Sequence, residues 1–92
     1  MSKQDAYVEK AQARIDEAVA KLDRLKAQAK GEMADKKVAM YQQAEKLEAN
    51  LDLAKAKLAE IKGSAEGAWE AMTERFDVLY SEMNSSFKKF IS

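Results

Sequence analysis

The chain has 92 residues, of which 16 are Lys or Arg and 16 are Asp or Glu, so its formal net charge is zero. This balance argues against nucleic acid as a partner, because such proteins carry an excess of basic charge. Cysteine and histidine are absent, which excludes disulfides, thiolate nucleophiles, imidazole bases and the usual zinc ligands. The length allows a single domain, 1–92. A composition rich in Ala, Glu, Lys and Leu, without proline, predicts an all-α fold.

A long coiled-coil-like helix is predicted from about residue 3 to residue 62. Ser2, followed three residues later by Asp5, is typical of a helix start. From there an apolar seam continues with spacings of three and four residues, with two fours in a row near Ala29 and again near Met40. This seam is the candidate self-association surface, and its larger members are Val8, Ile15, Leu22, Leu25, Met33, Met40, Leu47, Leu51, Leu58 and Ile61.

Gly31 is the weak point of this predicted helix, since an interior glycine costs about 1 kcal/mol relative to alanine. Its neighbours, Ala29-Lys30 and Glu32-Met33, are ordinary helix formers, and we therefore predict a helix that continues through Gly31. A continuous helix over 3–62 would be about 90 Å long. The alternative is a tight turn at Gly31, which would give three near-equal helices in a spectrin-like bundle.

The stretch 63–67 is the predicted hinge. It contains Gly63, Ser64 and Gly67 within five positions and follows Lys62, a residue suited to a helix C-terminus. We expect the chain to turn here and to form a helical hairpin.

A shorter amphipathic helix is predicted after the hinge, over about 68–91. Large apolar residues recur along one side of it at helical spacing, while the other side is acidic. We interpret this side as a candidate interaction face, which could be core, a groove for a partner helix, or a lipid-binding surface. Its members are Trp69, Met72, Phe76, Leu79, Tyr80, Met83, Phe87 and Phe90.

The predicted hairpin has a consequence for assembly. The last helix would span only about 36 Å, so it could not cover the seam between Val8 and Leu25. An uncovered apolar seam predicts a partner, and we expect a homodimer or a higher homo-oligomer that forms a helical bundle. The three-helix alternative could remain a monomer.

We expect no catalytic, cofactor-binding or metal-binding residues. Carboxylates are plentiful, but acid–base catalysis needs them in a shielded cleft with shifted pKa values, and a thin helical assembly seldom builds one. Glu45 and Glu48 share a helix face, but di-iron bundles also require histidine ligands. The start of the chain shows no apolar run typical of a signal peptide, and no stretch is apolar enough to be a transmembrane segment. We therefore expect a cytoplasmic protein that is not an enzyme.

The order of a charged, alanine-rich helix, then Gly67-Ala68-Trp69-Glu70, then the apolar residues Met72, Phe76 and Leu79, resembles small bacterial coiled-coil proteins of the cyanobacterial stress-response type. Amphipathic helices of that family are likened to those of apolipoproteins. The uncovered seam predicts a non-enzymatic, self-associating protein with a scaffolding or stress-associated structural role, and the resemblance implies the stress association and no catalytic residues. The alternative is a peripheral protein that binds a lipid surface or a partner through the aromatic face of 68–91.

Overall fold

A computed structural model describes residues 2–90, and all the regular secondary structure within that range is helical. The helices are α1 (Lys3–Lys30), α2 (Ala34–Gly63) and α3 (Glu70–Phe90). The all-α prediction is therefore confirmed. The three-helix alternative fits the structure, and a single helix over 3–62 is wrong. The bundle is 50 Å long and about 18 Å across, well short of the roughly 90 Å of an unbroken helix.

Pairs of contacting side chains define the helix directions. Near the start of α1, the Gln4 side chain donates to the Ile61 carbonyl at the end of α2. Near the end of α1, Lys26 Nζ lies 3.4 Å from Glu48 Oε2, earlier in α2. The helices α1 and α2 are therefore antiparallel. Lys21 of α1 donates to Asn84 of α3 at 3.0 Å, whereas contacts nearer the start of α1 reach the earlier turns of α3. Helix α3 is therefore parallel to α1 and antiparallel to α2.

The turn at 31–33 corrects the prediction that Gly31 lies inside a helix. The Gly31 N–H donates to the Gln28 carbonyl and the Glu32 N–H to the Ala29 carbonyl, each at 3.1 Å, which ends α1. Met33 is extended and precedes α2. Three residues are enough for a helical hairpin. Helix propensity is a weak local preference, and burial of two whole apolar seams against each other outweighs it.

The core lies along the axis where the three helices meet. It alternates small and large side chains: Ala11, Ala18, Ala29, Ala44 and Ala54 are buried among leucines, isoleucines and aromatic rings. Small residues let helix backbones approach closely, and the larger side chains fill the remaining space. Among the residues that the structure describes, none that is polar or charged is fully buried.

The second turn lies in the predicted hinge, but α3 begins only at Glu70. Ser64 ends α2, with its hydroxyl donating to the Ile61 carbonyl at 2.8 Å. The side-chain amide of Gln4 donates to the carbonyls of Ile61 and Ser64, at 2.8 and 3.0 Å, so α1 satisfies acceptors that a helix C-terminus leaves without partners. Gly67 adopts φ +96°, in the left-handed region that L side chains avoid.

The two turn glycines predict unequal responses to alanine. Gly67→Ala should lower the free energy of unfolding by about 1–2 kcal/mol, because a Cβ strains a backbone with positive φ. Gly31→Ala should change it by less than about 0.5 kcal/mol, because φ is −87° and the added Cβ would meet only the Gln28 carbonyl, at 3.6 Å. Urea unfolding followed by circular dichroism measures both, and equal losses would contradict this account of the two turns.

Candidate interaction surface

The aromatic face of α3 lies in the core of the chain's own bundle. Phe76, Met83 and Phe87 are buried, and Trp69 keeps only 9% of its surface exposed. Three further predicted members are partly buried and pack against this core: Met72, Leu79 and Tyr80. The Phe90 side chain lies outside the part of the chain that the structure describes. In this conformation the face contacts α1 and α2 and offers no ready surface for a lipid or another protein.

The predicted self-association seam is also covered within the chain. Its buried members are Ile15, Leu22, Leu25, Met40, Leu47, Leu51, Leu58 and Ile61, and Val8 is partly buried against them. Met33 does not belong to the seam, because it lies in the first turn and is 85% exposed. The uncovered N-terminal seam, from which self-association was inferred, is therefore absent from the folded chain.

Helix α3 meets α1 through an aromatic and polar cluster around Tyr7. The Tyr7 ring lies 5.8 Å from that of Trp69 and packs edge-on against that of Phe76 at 6.2 Å. Its hydroxyl donates to an Asp77 carboxylate oxygen at 3.0 Å, with the Thr73 carbonyl at 3.3 Å.

Arg14, about two helical turns after Tyr7 on α1, contacts the same carboxylate. One guanidinium nitrogen lies 3.3 Å from Asp77, and the guanidinium carbon is 5.0 Å from the centre of the Tyr80 ring. Such a contact combines an ion pair with a cation–π interaction. The α1–α3 boundary is thus closed at its rim by side chains that remain in contact with water.

The Tyr7 hydroxyl is the titratable group most affected by this packing. Burial raises the pKa of Tyr7 well above its usual value, and the hydrogen bond to Asp77 and the negative charge there raise it further. The positive charge of Arg14 opposes part of this rise. The arrangement keeps the hydroxyl protonated as a donor, so it stabilises the helix contact and does not form a base.

The boundary between α2 and α3 has a different exterior, with apolar side chains open to solvent. Leu53 is 57% exposed and Val78 is 48% exposed. A shallow groove between α2 and α3 places Leu53 beside Leu79 and Arg75. A second depression, on α3 alone, shares Ala71, Arg75 and Leu79 with that groove and is also lined by Glu74, Val78 and Glu82. We call Leu53, Ala56, Ala71, Arg75, Val78, Leu79 and Glu82 the outer α2–α3 surface.

Sequence reasoning missed the outer α2–α3 surface because it followed one seam per helix. Leu53 falls between the seam residues Leu51 and Ala54, and Val78 lies beside Phe76 and Leu79 but on another side of the helix. The sequence signal for such a surface is a large apolar residue that lies out of phase with the apolar seam of its helix.

Residues 2–90 contain no cluster of three or more acidic side chains placed to hold a metal ion. Within the same range, no helix combines the length and the apolar character needed to cross a membrane.

Comparison of the chain with family models, with curated proteins and with solved structures finds no match.

The raised pKa of Tyr7 predicts a loss of stability in alkaline solution. Because the unfolded chain releases the tyrosine proton first, the free energy of unfolding should fall as the pH rises above about 10. Tyr7→Phe removes this contribution, so wild type and variant should differ more at about pH 8 than at about pH 10.5. Urea midpoints at the two pH values measure the difference. A gap that stays the same at both would show that Tyr7 titrates alike in the folded and unfolded chains.

Proposed function

We propose that this protein is a non-enzymatic helical bundle that self-associates and has a structural role, as a scaffold or a stress-associated factor. The observation that carries the proposal is the outer α2–α3 surface, where two large apolar side chains remain about half exposed beside a groove. Apolar groups that stay in water after folding gain about 25 cal/mol for each Å² that a partner covers.

The composition of the outer α2–α3 surface supports a protein partner. Leu53 lines the groove together with Lys57, Glu60 and Arg75, and Val78 lines the adjoining depression together with Arg75, Glu74 and Glu82. Lys57 and Glu60 already pair with each other at 2.7 Å. An apolar centre with a charged rim is the usual anatomy of a protein–protein contact.

A second copy of the chain is the partner that needs the fewest assumptions. Most soluble oligomers are symmetric assemblies of one chain, and the two-fold dimer is the commonest of them. The contact in this proposal is no longer the N-terminal seam, which the folded chain covers by itself. The stress-associated role is supported by the family resemblance of the sequence around 67–79.

Leu53→Lys should weaken self-association, because it places a charge on an apolar side chain of the proposed contact. Loss of one well-covered leucine corresponds to about 1.5–3 kcal/mol, or roughly a tenfold to hundredfold rise in the dissociation constant. Val38→Lys is the matched control, since Val38 is also a surface residue of α2 that is 57% exposed but lies outside this surface. Analytical ultracentrifugation over about 1–100 µM, which spans typical weak dimers, measures both. A wild-type chain that stays monomeric throughout would overturn the proposal.

A second candidate is binding to a lipid surface after the bundle opens between α1 and α3. The contacts that close this boundary at its rim join Tyr7 and Arg14 to Asp77. They are accessible to water and of modest strength, so the boundary should open at little cost. Opening would uncover the Trp69 and Phe76 side of α3, which has the amphipathic character of helices that lie in membrane interfaces.

Asp77→Ala tests this candidate, because it removes both the Tyr7 hydrogen bond and the Arg14 ion pair. If opening precedes lipid binding, the variant should bind vesicles of neutral or anionic phospholipid several-fold more than the wild type does. Asp23→Ala is the control with the same change of charge, because Asp23 is an exposed carboxylate on α1 outside both that cluster and the outer α2–α3 surface. Vesicle co-flotation measures the bound fraction. Equal flotation of the two variants, or none by either, would exclude the opening route.

A further inference from the structure

We propose that two copies of the chain pair through α3 in antiparallel orientation, with the two-fold axis between Val78 and Leu79 and with Arg75 of each copy against Glu82 of the other. This inference rests on the proposed self-association and specifies its geometry. It starts from a second heptad-like stripe on α3, on the side away from the core. The stripe has spacings of four, three, four and three residues, and all its members are exposed: Ala71, Arg75, Val78, Glu82 and Ser85.

The two charges in this stripe have opposite sign and lie seven residues, or about two helical turns, apart. Within residues 2–90, neither Arg75 nor Glu82 belongs to any of the ion pairs, which join other residues. Each therefore has its charge available to a partner. Both residues line the same depression as the exposed Val78.

Charge complementarity favours one register among those in which the charged positions of two such stripes face each other. In a parallel pair, Arg75 would face Arg75 and Glu82 would face Glu82. An antiparallel pair shifted by one heptad also brings like charges together. A shift in one direction places Arg75 opposite Arg75 of the second copy, and a shift in the other direction places Glu82 opposite Glu82 of the second copy. With the axis between Val78 and Leu79, each Arg75 faces a Glu82, and the two copies of Val78 and Leu79 meet at the centre. Like charges placed face to face in an interface are strongly unfavourable, so this register is preferred.

The position of α2 is consistent with the same axis. Leu53 lies beside Leu79 in the groove, next to the proposed axis. In such a dimer the two-fold axis is perpendicular to the plane that contains the two α3 helices. Both α2 helices would then lie on the same side of that plane, where the two Leu53 side chains would approach each other. The apolar residues near the axis would then supply most of the affinity. The rim charges would set the register, because exposed ion pairs contribute little free energy by themselves.

Two charge reversals test the register. Arg75→Glu leaves two acidic residues in the stripe, and Glu82→Arg leaves two basic ones. Each variant alone should therefore have a dimer dissociation constant at least about tenfold higher than that of the wild type. In an equimolar mixture of the two variants, every proposed pair is attractive again, and the dimer should recover to within about threefold of the wild-type dissociation constant. Recovery also shows that both variants fold.

Cysteine pairs test the antiparallel orientation, and the absence of native cysteine makes them unambiguous. Under mild oxidation, Arg75→Cys mixed with Glu82→Cys should give a cross-linked dimer, and each variant alone should give little. Cross-linking of each variant with itself would instead indicate parallel helices and overturn the inference.

The outcomes separate this inference from the function on which it rests. A wild-type dimer in which the charge reversals have no effect, or in which the mixture does not recover, would overturn the register while leaving self-association in place. A wild-type chain that remains monomeric would overturn both.

Discussion

The structure depends on the mutual burial of three apolar stripes, one from each helix. The largest side chains that are completely covered come from all three: Leu25 from α1, Leu47 and Ile61 from α2, and Phe76 and Met83 from α3. A small domain has little surface to bury and a correspondingly thin margin of stability. Each helix therefore needs the other two, because an amphipathic helix in isolation is marginally stable in water.

The two boundaries of α3 differ in their chemistry, and this difference organises the surface. Toward α1, the rim is aromatic and polar, with the Tyr7 hydroxyl and Arg14 both bound to Asp77. Toward α2, the rim leaves Leu53 and Val78 in water. The first boundary is satisfied within the chain. The second leaves apolar area and unused charges within residues 2–90, which is why we propose a contact with another copy there.

The sequence predicted the membership of the core far better than its connectivity. Eight of the ten larger residues predicted for the seam are buried, and Val8 is partly buried. The failure at Met33 and the wrong continuation through Gly31 have one origin. The double four-residue spacings near Ala29 and Met40 are compatible with irregularities of a single coiled coil, whereas the structure places the turn between them. The loss of phase was the sign of a turn, but local helix preference gave no reason to choose it.

The candidate site was the harder part, because the same apolar periodicity describes a core and a docking face. Trp69, Phe76 and Phe87 have the spacing of a binding helix, and only the positions of α1 and α2 show that they are covered. Leu53 and Val78 lie out of phase with the seams of their helices, but only the packing of the three helices shows that they remain exposed.

The sequence by itself determined the helical class, the positions of the apolar stripes and the turn near Gly63, because composition, periodicity and glycine placement act locally. Only the tertiary structure decided that the chain also reverses at Gly31 and that the stripes cover one another. That choice depends on the apolar surface buried between distant segments, a quantity that no local pattern contains. The exposed surface that remains for a partner follows from the same choice.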